Sequence, residues 1–175
     1  MNPGTIFLQT AIRRFEEQKS LGDKTFAQLD ERDFHVQPNE ASNSLAIIIR
    51  HLNGNMRSRW THFLTEDGEK PWRRRDEEFE VAGHSKADLL QLWEEGWKVL
   101  FDTLRSLEEK DLTRTVTIRT QPLTVVDAIV RQLTHYSNHV GQIIYLGRWI
   151  RNAEWRSLSI PKGGSQAYND SQSRH

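Results

Sequence analysis

Apolar residues recur along most of this chain at the three- and four-residue intervals of an α-helix, in four long segments separated by polar connections. In the first, Ile6, Leu8, Ala11, Ile12, Phe15, Phe26 and Leu29 trace one stripe. Pro3-Gly4 punctuates its start, Thr5 stands where a cap is needed, and Gly22 is a weak point inside it. Asp30 to Glu40 is polar, carries Pro38, and reads as turn and loop. The second helix starts at Asn43 or Ser44 and runs to about Phe63, with Leu45, Ile48, Ile49, Leu52 and Met56 facing the core. The third starts at Ser85, where Asp88 completes a capping box, and runs to about Leu107 behind Leu89, Leu92, Trp93, Trp97, Leu100, Phe101 and Leu104. The fourth starts at Thr124, with Asp127 three residues on, and ends near Trp149 or Arg151.

Other stretches break the helical period. Leu112 to Arg119 alternates Thr113, Thr115 and Thr117 with Val116 and Ile118, which predicts a short strand or half hairpin turned by Gln121-Pro122. Leu64 to His84 is a long charged connection containing Gly68-Glu69-Lys70-Pro71-Trp72-Arg73-Arg74-Arg75-Asp76-Glu77-Glu78-Phe79. Loops of this length often serve as lids or binding loops; the alternative is that the three arginines pair with nearby carboxylates at the surface. Trp155 to Ile160 still carries apolar residues, Pro161-Lys162-Gly163-Gly164-Ser165 stops any helix, and Asn169 to His175 reads as disordered. No repeat recurs at a fixed period. The pattern predicts an all-α antiparallel four-helix bundle with a short strand or hairpin before the last long helix. Residues 1–160 form its single domain and 161–175 a partly disordered tail.

Composition narrows the functional classes. The 175 residues suffice for one domain with a real core. Lys+Arg and Asp+Glu both number 24, so no global field recruits nucleic acid or an anionic membrane. Absence of cysteine removes disulfides, thiolate ligands and any cysteine nucleophile. Met1-Asn2-Pro3-Gly4 has no basic start leading into an apolar run, and no apolar stretch is long enough to span a bilayer. The expectation is a soluble cytoplasmic domain.

The chemistry concentrates in Gln132-Leu133-Thr134-His135-Tyr136-Ser137-Asn138-His139-Val140-Gly141-Gln142. His135 and His139 stand four apart, so both imidazoles leave one helical face and can grip one metal ion. A third ligand must come from elsewhere, and the candidate is His51 on the second helix. It shares a mostly polar face with Ser44, Ile47, Asn55, Ser58 and His62, suited to the wall of a wet pocket. His62 lies three turns further on, roughly 16 Å along the axis, and cannot reach the same ion. The His-x-x-x-His spacing also occurs in zinc proteases with a Glu after the first His; Tyr136 occupies that place, which excludes the protease reading. Histidines on helices also serve as plain hydrogen-bonding groups, so spacing alone leaves metal and no metal open. Asn55, Asn138 and Gln142 are candidates to satisfy the outer N–H groups of metal-bound imidazoles.

The second-helix run Arg50-His51-Leu52-Asn53-Gly54-Asn55 and the fourth-helix His135-x-x-x-His139-x-Gly141-Gln142-Ile143 resemble the DinB superfamily of bacterial four-helix proteins, over roughly Phe15 to Ser165. Gly68 to Arg73 and Ser159 to Gly163 resemble a branch of it without an assigned reaction. The resemblance implies a divalent ion, commonly zinc or nickel, on His51, His135 and His139. Relatives with known chemistry include thiol-dependent transferases and a maleylpyruvate isomerase, which use low-molecular-weight thiols such as bacillithiol or mycothiol. The implied function is a metal-dependent enzyme acting on a small molecule, with transfer of a thiol ahead of hydrolysis; a metal-binding stress or interaction protein without catalysis is the rival. Arg73, Arg74 and Arg75 would receive an anionic substrate group. A homodimer is expected, from the family and from Trp149 and Trp155 late in the chain.

Overall fold

The computed structural model describes residues 2–172 and is mostly helical. Four long helices carry the core: α1 (Pro3–Phe26), α2 (Leu45–Trp60), α3 (Lys86–Ser106) and α4 (Val125–Arg151). A two-stranded antiparallel hairpin, β1 (Thr115–Ile118) and β2 (Gln121–Thr124), precedes α4, and an exposed α5 (Ser165–Gln172) follows it. Helices α2 and α3 lie along one another, as do α1 and α4, while α2–α4 and α1–α3 touch over shorter lengths. No helix is long and apolar enough to cross a membrane among the described residues.

Local chemistry explains most boundaries. Asn2, not Thr5, caps α1: its side chain accepts the Thr5 N–H, and Pro3 takes the first helical position, where its missing N–H costs nothing. Ser44 caps α2, Ser85 and Asp88 form the reciprocal box on α3, and Thr124 caps α4. Helix α2 stops at Trp60, short of Phe63, and His62 beyond it has φ 50°. The hairpin turn falls at Arg119-Thr120, both with positive φ, rather than at Gln121-Pro122, which belong to β2. Residues 169–172, expected to be disordered, lie in α5; residues 173–175 lie outside the described ones.

The core is aromatic at its centre. Phe15 of α1 packs edge-on against Trp60 and Trp97 and lies tilted to Tyr136, so all four long helices meet there. Gly22 marks a close approach: a Cβ at that position would run into the ring of Trp93 on α3. The polar face of α2 is covered rather than wet along most of its length. The Ser58 hydroxyl donates to the Gly68 carbonyl at 2.7 Å and accepts the Lys70 N–H at 3.2 Å, and Arg59 also reaches that carbonyl. The same loop is pinned to the hairpin, because the Asp67 carboxylate accepts the N–H groups of Arg119 and Thr120 at 2.9 and 2.8 Å.

Candidate metal centre

Helix α2 carries His51 into the space where α4 presents His135 and His139 on successive turns. One nitrogen from each of the three rings lies within 4.8 Å of the others. His51 Nε2 stands 3.4 Å from His135 Nε2, and His139 Nε2 stands 3.1 Å from it. Two nitrogens bound at about 2.0–2.1 Å to one ion would be about 2.9 Å apart at a right angle and about 3.4 Å apart in a tetrahedron. Both separations from His135 Nε2 fall in that range.

The outer nitrogens decide where the protons sit. His51 Nδ1 is 2.9 Å from Glu78 Oε2, and His139 Nδ1 is 2.9 Å from Gln142 Oε1. An ionised carboxylate and an amide oxygen only accept, so each Nδ1 carries the hydrogen and each Nε2 presents a lone pair inward. Both lone pairs converge on His135 Nε2, where a single N–H satisfies only one of them. Protonation does not resolve the conflict: burial first, then the charges of His139, His51, Arg59 and Arg73, pushes His135 down to about 3. Burial lowers His139 as well, against its hydrogen bond to Gln142. Three neutral imidazoles aimed at one point fit a divalent ion, and with no fourth protein ligand among the described residues they would leave a position open.

Behind His51 the carboxylate is itself fixed. Arg73 donates from Nε and Nη2 to the two oxygens of Glu78, both at 2.8 Å, with the two side chains 2% and 10% exposed. Burial alone would raise the Glu78 carboxyl, but Arg73 and His51 hold it below the usual range, so it is ionised. Gly54 makes room for it, since a Cβ there would collide with Glu78 Oε1. On the other side, the Tyr136 hydroxyl donates to Asn55 Oδ1 and accepts from Trp60 Nε1, each at 3.0 Å.

A cavity of about 440 Å³ opens beside the three histidines, walled also by Asn55, Phe79, Gln132 and five arginines: Arg59, Arg73, Arg75, Arg119 and Arg131. Of the residues singled out in the sequence, Gln142 orients His139 and Asn55 lines this cavity. Asn138 does not; it lines a separate hollow with Tyr145 and the 38–43 segment. The three successive arginines diverge. Arg73 lines the cavity but is committed to Glu78. Arg74 points away and pairs with Glu77 at 3.2 Å. Arg75 lies over the Phe79 ring at the cavity wall. Exposed His62 is outside the cluster. Glu78, Gln132 and Arg131 escape a reading by motif. Arg131 and Gln132 carry a local signal, standing four and three residues before His135 and so on the same face of α4.

No curated protein matches the chain. A solved structure does: the crystal structure of a conserved protein from Enterococcus faecalis superposes with a TM-score of 0.61 at 16% identity, covering 80% of this chain and 94% of that one. At that identity the likeness speaks for the fold alone. Residues 2–164 match the family DUF1572, described as a protein of unknown function, and the chain belongs to that family.

Proposed function

We propose that this chain is a divalent-metal enzyme of DinB type, an antiparallel four-helix bundle that transfers a small thiol to an electrophilic substrate. The observation that carries the metal centre is the convergence of three imidazole Nε2 atoms, with the outer nitrogens of His51 and His139 held by Glu78 and Gln142. An ion in this all-imidazole site, zinc or nickel, keeps its full positive charge and would favour the deprotonated form of a thiol or water at its open position. The remaining tasks belong to the chain. Glu78 and Gln142 keep His51 and His139 in the ligating tautomer, and the arginine-lined wall draws an anionic reactant inward.

Thiol transfer is favoured over hydrolysis by what the wall lacks. No carboxylate lines the cavity among the described residues, and Glu78 is engaged by Arg73 and His51. The ion would ionise bound water as well, but among the described residues no acid stands at that wall to protonate the leaving group of an ester or amide. A thiol, with an ordinary pKa near 8.5, needs only the nearby positive charge. The chain has no cysteine, so the sulfur arrives with a cosubstrate. Trp149, half exposed on α4 near exposed Tyr145, supports a homodimer. The test is to purify the protein without a nickel column and assay an electrophile such as monobromobimane with and without low-molecular-weight thiols. Electrophile should be consumed only with thiol, and activity should vanish with a chelator or in His135→Ala. Turnover with water alone would move the assignment to hydrolysis, and metal-replete protein inert across thiols, electrophiles, esters and amides would refute catalysis.

A further inference from the structure

The wall of the cavity has more positive charge than the carboxylates behind it answer. Glu69 lies between Arg59, at 3.1 Å, and Arg119, at 2.9 Å, and Glu78 takes Arg73. Five guanidinium groups against those two carboxylates leave an excess of three positive charges before any metal is counted. One of the three charges is shared by Arg59 and Arg119 across Glu69, and the other two reside on Arg75 and Arg131. Arg75 reaches the fully exposed Asp76 only at 3.6 Å, beyond hydrogen-bond range. Arg131 has no ion-pair or hydrogen-bond partner among the described residues, and it sits one helical turn from His135. Next to Arg131, Gln132 is 4% exposed and lines the same cavity, yet its Oε1 accepts no hydrogen bond. A buried acceptor without a donor costs about 1–3 kcal/mol, so its presence at a cavity wall is a mark of something that arrives from outside.

We propose that this cavity binds a small dianion that also carries a hydroxyl group, with its acid groups held by Arg131 and Arg75 and its O–H donated to Gln132 Oε1. A guanidinium matches a carboxylate or phosphate through two parallel N–H bonds, so two uncommitted arginines suit two acid groups, or one doubly charged one. The cavity volume of about 440 Å³ limits the ligand to a small metabolite. The inference names a substrate class for the metal centre proposed above and rests on it for the adjacent ion, while the anion contacts belong to the chain.

Tartronate and malonate make the test, because they share two carboxylates and differ by one hydroxyl. Each is titrated calorimetrically into protein loaded with one zinc ion per chain and into metal-free protein, with zinc content measured before and after. Tartronate should bind about tenfold tighter than malonate, and Arg131→Gln or Arg75→Gln should weaken both about tenfold or more without changing zinc stoichiometry. Gln132→Met, checked for helicity by circular dichroism, should erase the preference for tartronate and leave malonate unchanged. No binding of either acid to zinc-loaded protein, affinities indifferent to both arginines, or a preference that survives Gln132→Met would overturn the proposal. Arginine-dependent binding by protein that takes up no zinc would sink the metal centre and leave this inference standing. Zinc at one per chain with arginine-independent binding would do the reverse.

Discussion

Replacing Glu78 by Gln should damage stability and metal affinity through separable routes. Arg73 is 2% exposed and donates twice to Glu78, so the variant leaves a buried guanidinium without its counter-charge. Opposite charges about 4 Å apart attract by about 4 kcal/mol at an effective dielectric near 20, and removing one member of a buried pair typically costs about 3–5 kcal/mol. Discounting for the amide's remaining hydrogen bonds, a loss of about 3 kcal/mol is expected in urea unfolding of metal-free protein. Separately, His51 loses the anion that makes Nδ1 a committed donor, and losing such an outer partner commonly weakens a metal site by about 10–100-fold. The double variant Arg73→Met, Glu78→Met separates the effects. With both charges gone most of the stability should return, because well-packed apolar residues often replace a buried pair at little cost. Zinc affinity, measured by competition with a chromophoric chelator, should stay low. Unchanged affinity in Glu78→Gln, or affinity that recovers together with stability in the double variant, would refute the role given to the carboxylate.

Gly54→Ala should weaken zinc binding without altering any charge, by displacing the Glu78 carboxylate; chelator competition reads it directly. Tyr136→Phe should cost about 1–3 kcal/mol in thermal or urea unfolding, since the Trp60 N–H and the Asn55 oxygen lose their shared buried partner. The carboxyl of Asp67 is held down to about 2, where burial works to raise it and the N–H groups of Glu69, Thr120 and Arg119 prevail. A folded value below the unfolded one near 3.8 means that stability is present above pH 4 and drains away as pH falls from about 4 to about 2. Partial exposure to solvent reduces the effect to about 1 kcal/mol, and Asp67→Asn should flatten that part of the pH–stability curve.

The helices are legible in the sequence because burial repeats at the helical period and their caps are local: Ser85 with Asp88 and Thr124 with Asp127 lie three residues apart. His135 and His139 are legible for the same reason, as neighbours on one helix. The rest of the centre depends on contacts distant in sequence. Glu78 lies 27 residues from His51, inside a charged run that has no period to show which carboxylate turns inward. Nor does the run distinguish Arg73, which is buried, from Arg74, which is exposed. The hairpin turn escapes because Arg119 and Thr120 adopt positive φ without the Gly or Asn that usually announces it, while the nearby Pro122 sits in an edge strand. Thr5 misleads as a cap because Asn2 and Pro3 supply the same function one turn earlier.

The most direct measurement is zinc stoichiometry on metal-free protein and three variants, by elemental analysis after dialysis against limiting metal. The wild-type chain should hold one ion. His51→Ala should lose it although His51 lies 84 residues from His135, His135→Ala should lose it as well, and His62→Ala should keep it. A chain that holds no zinc or nickel, or one that keeps its ion in His51→Ala and loses it in His62→Ala, would contradict the three-histidine centre.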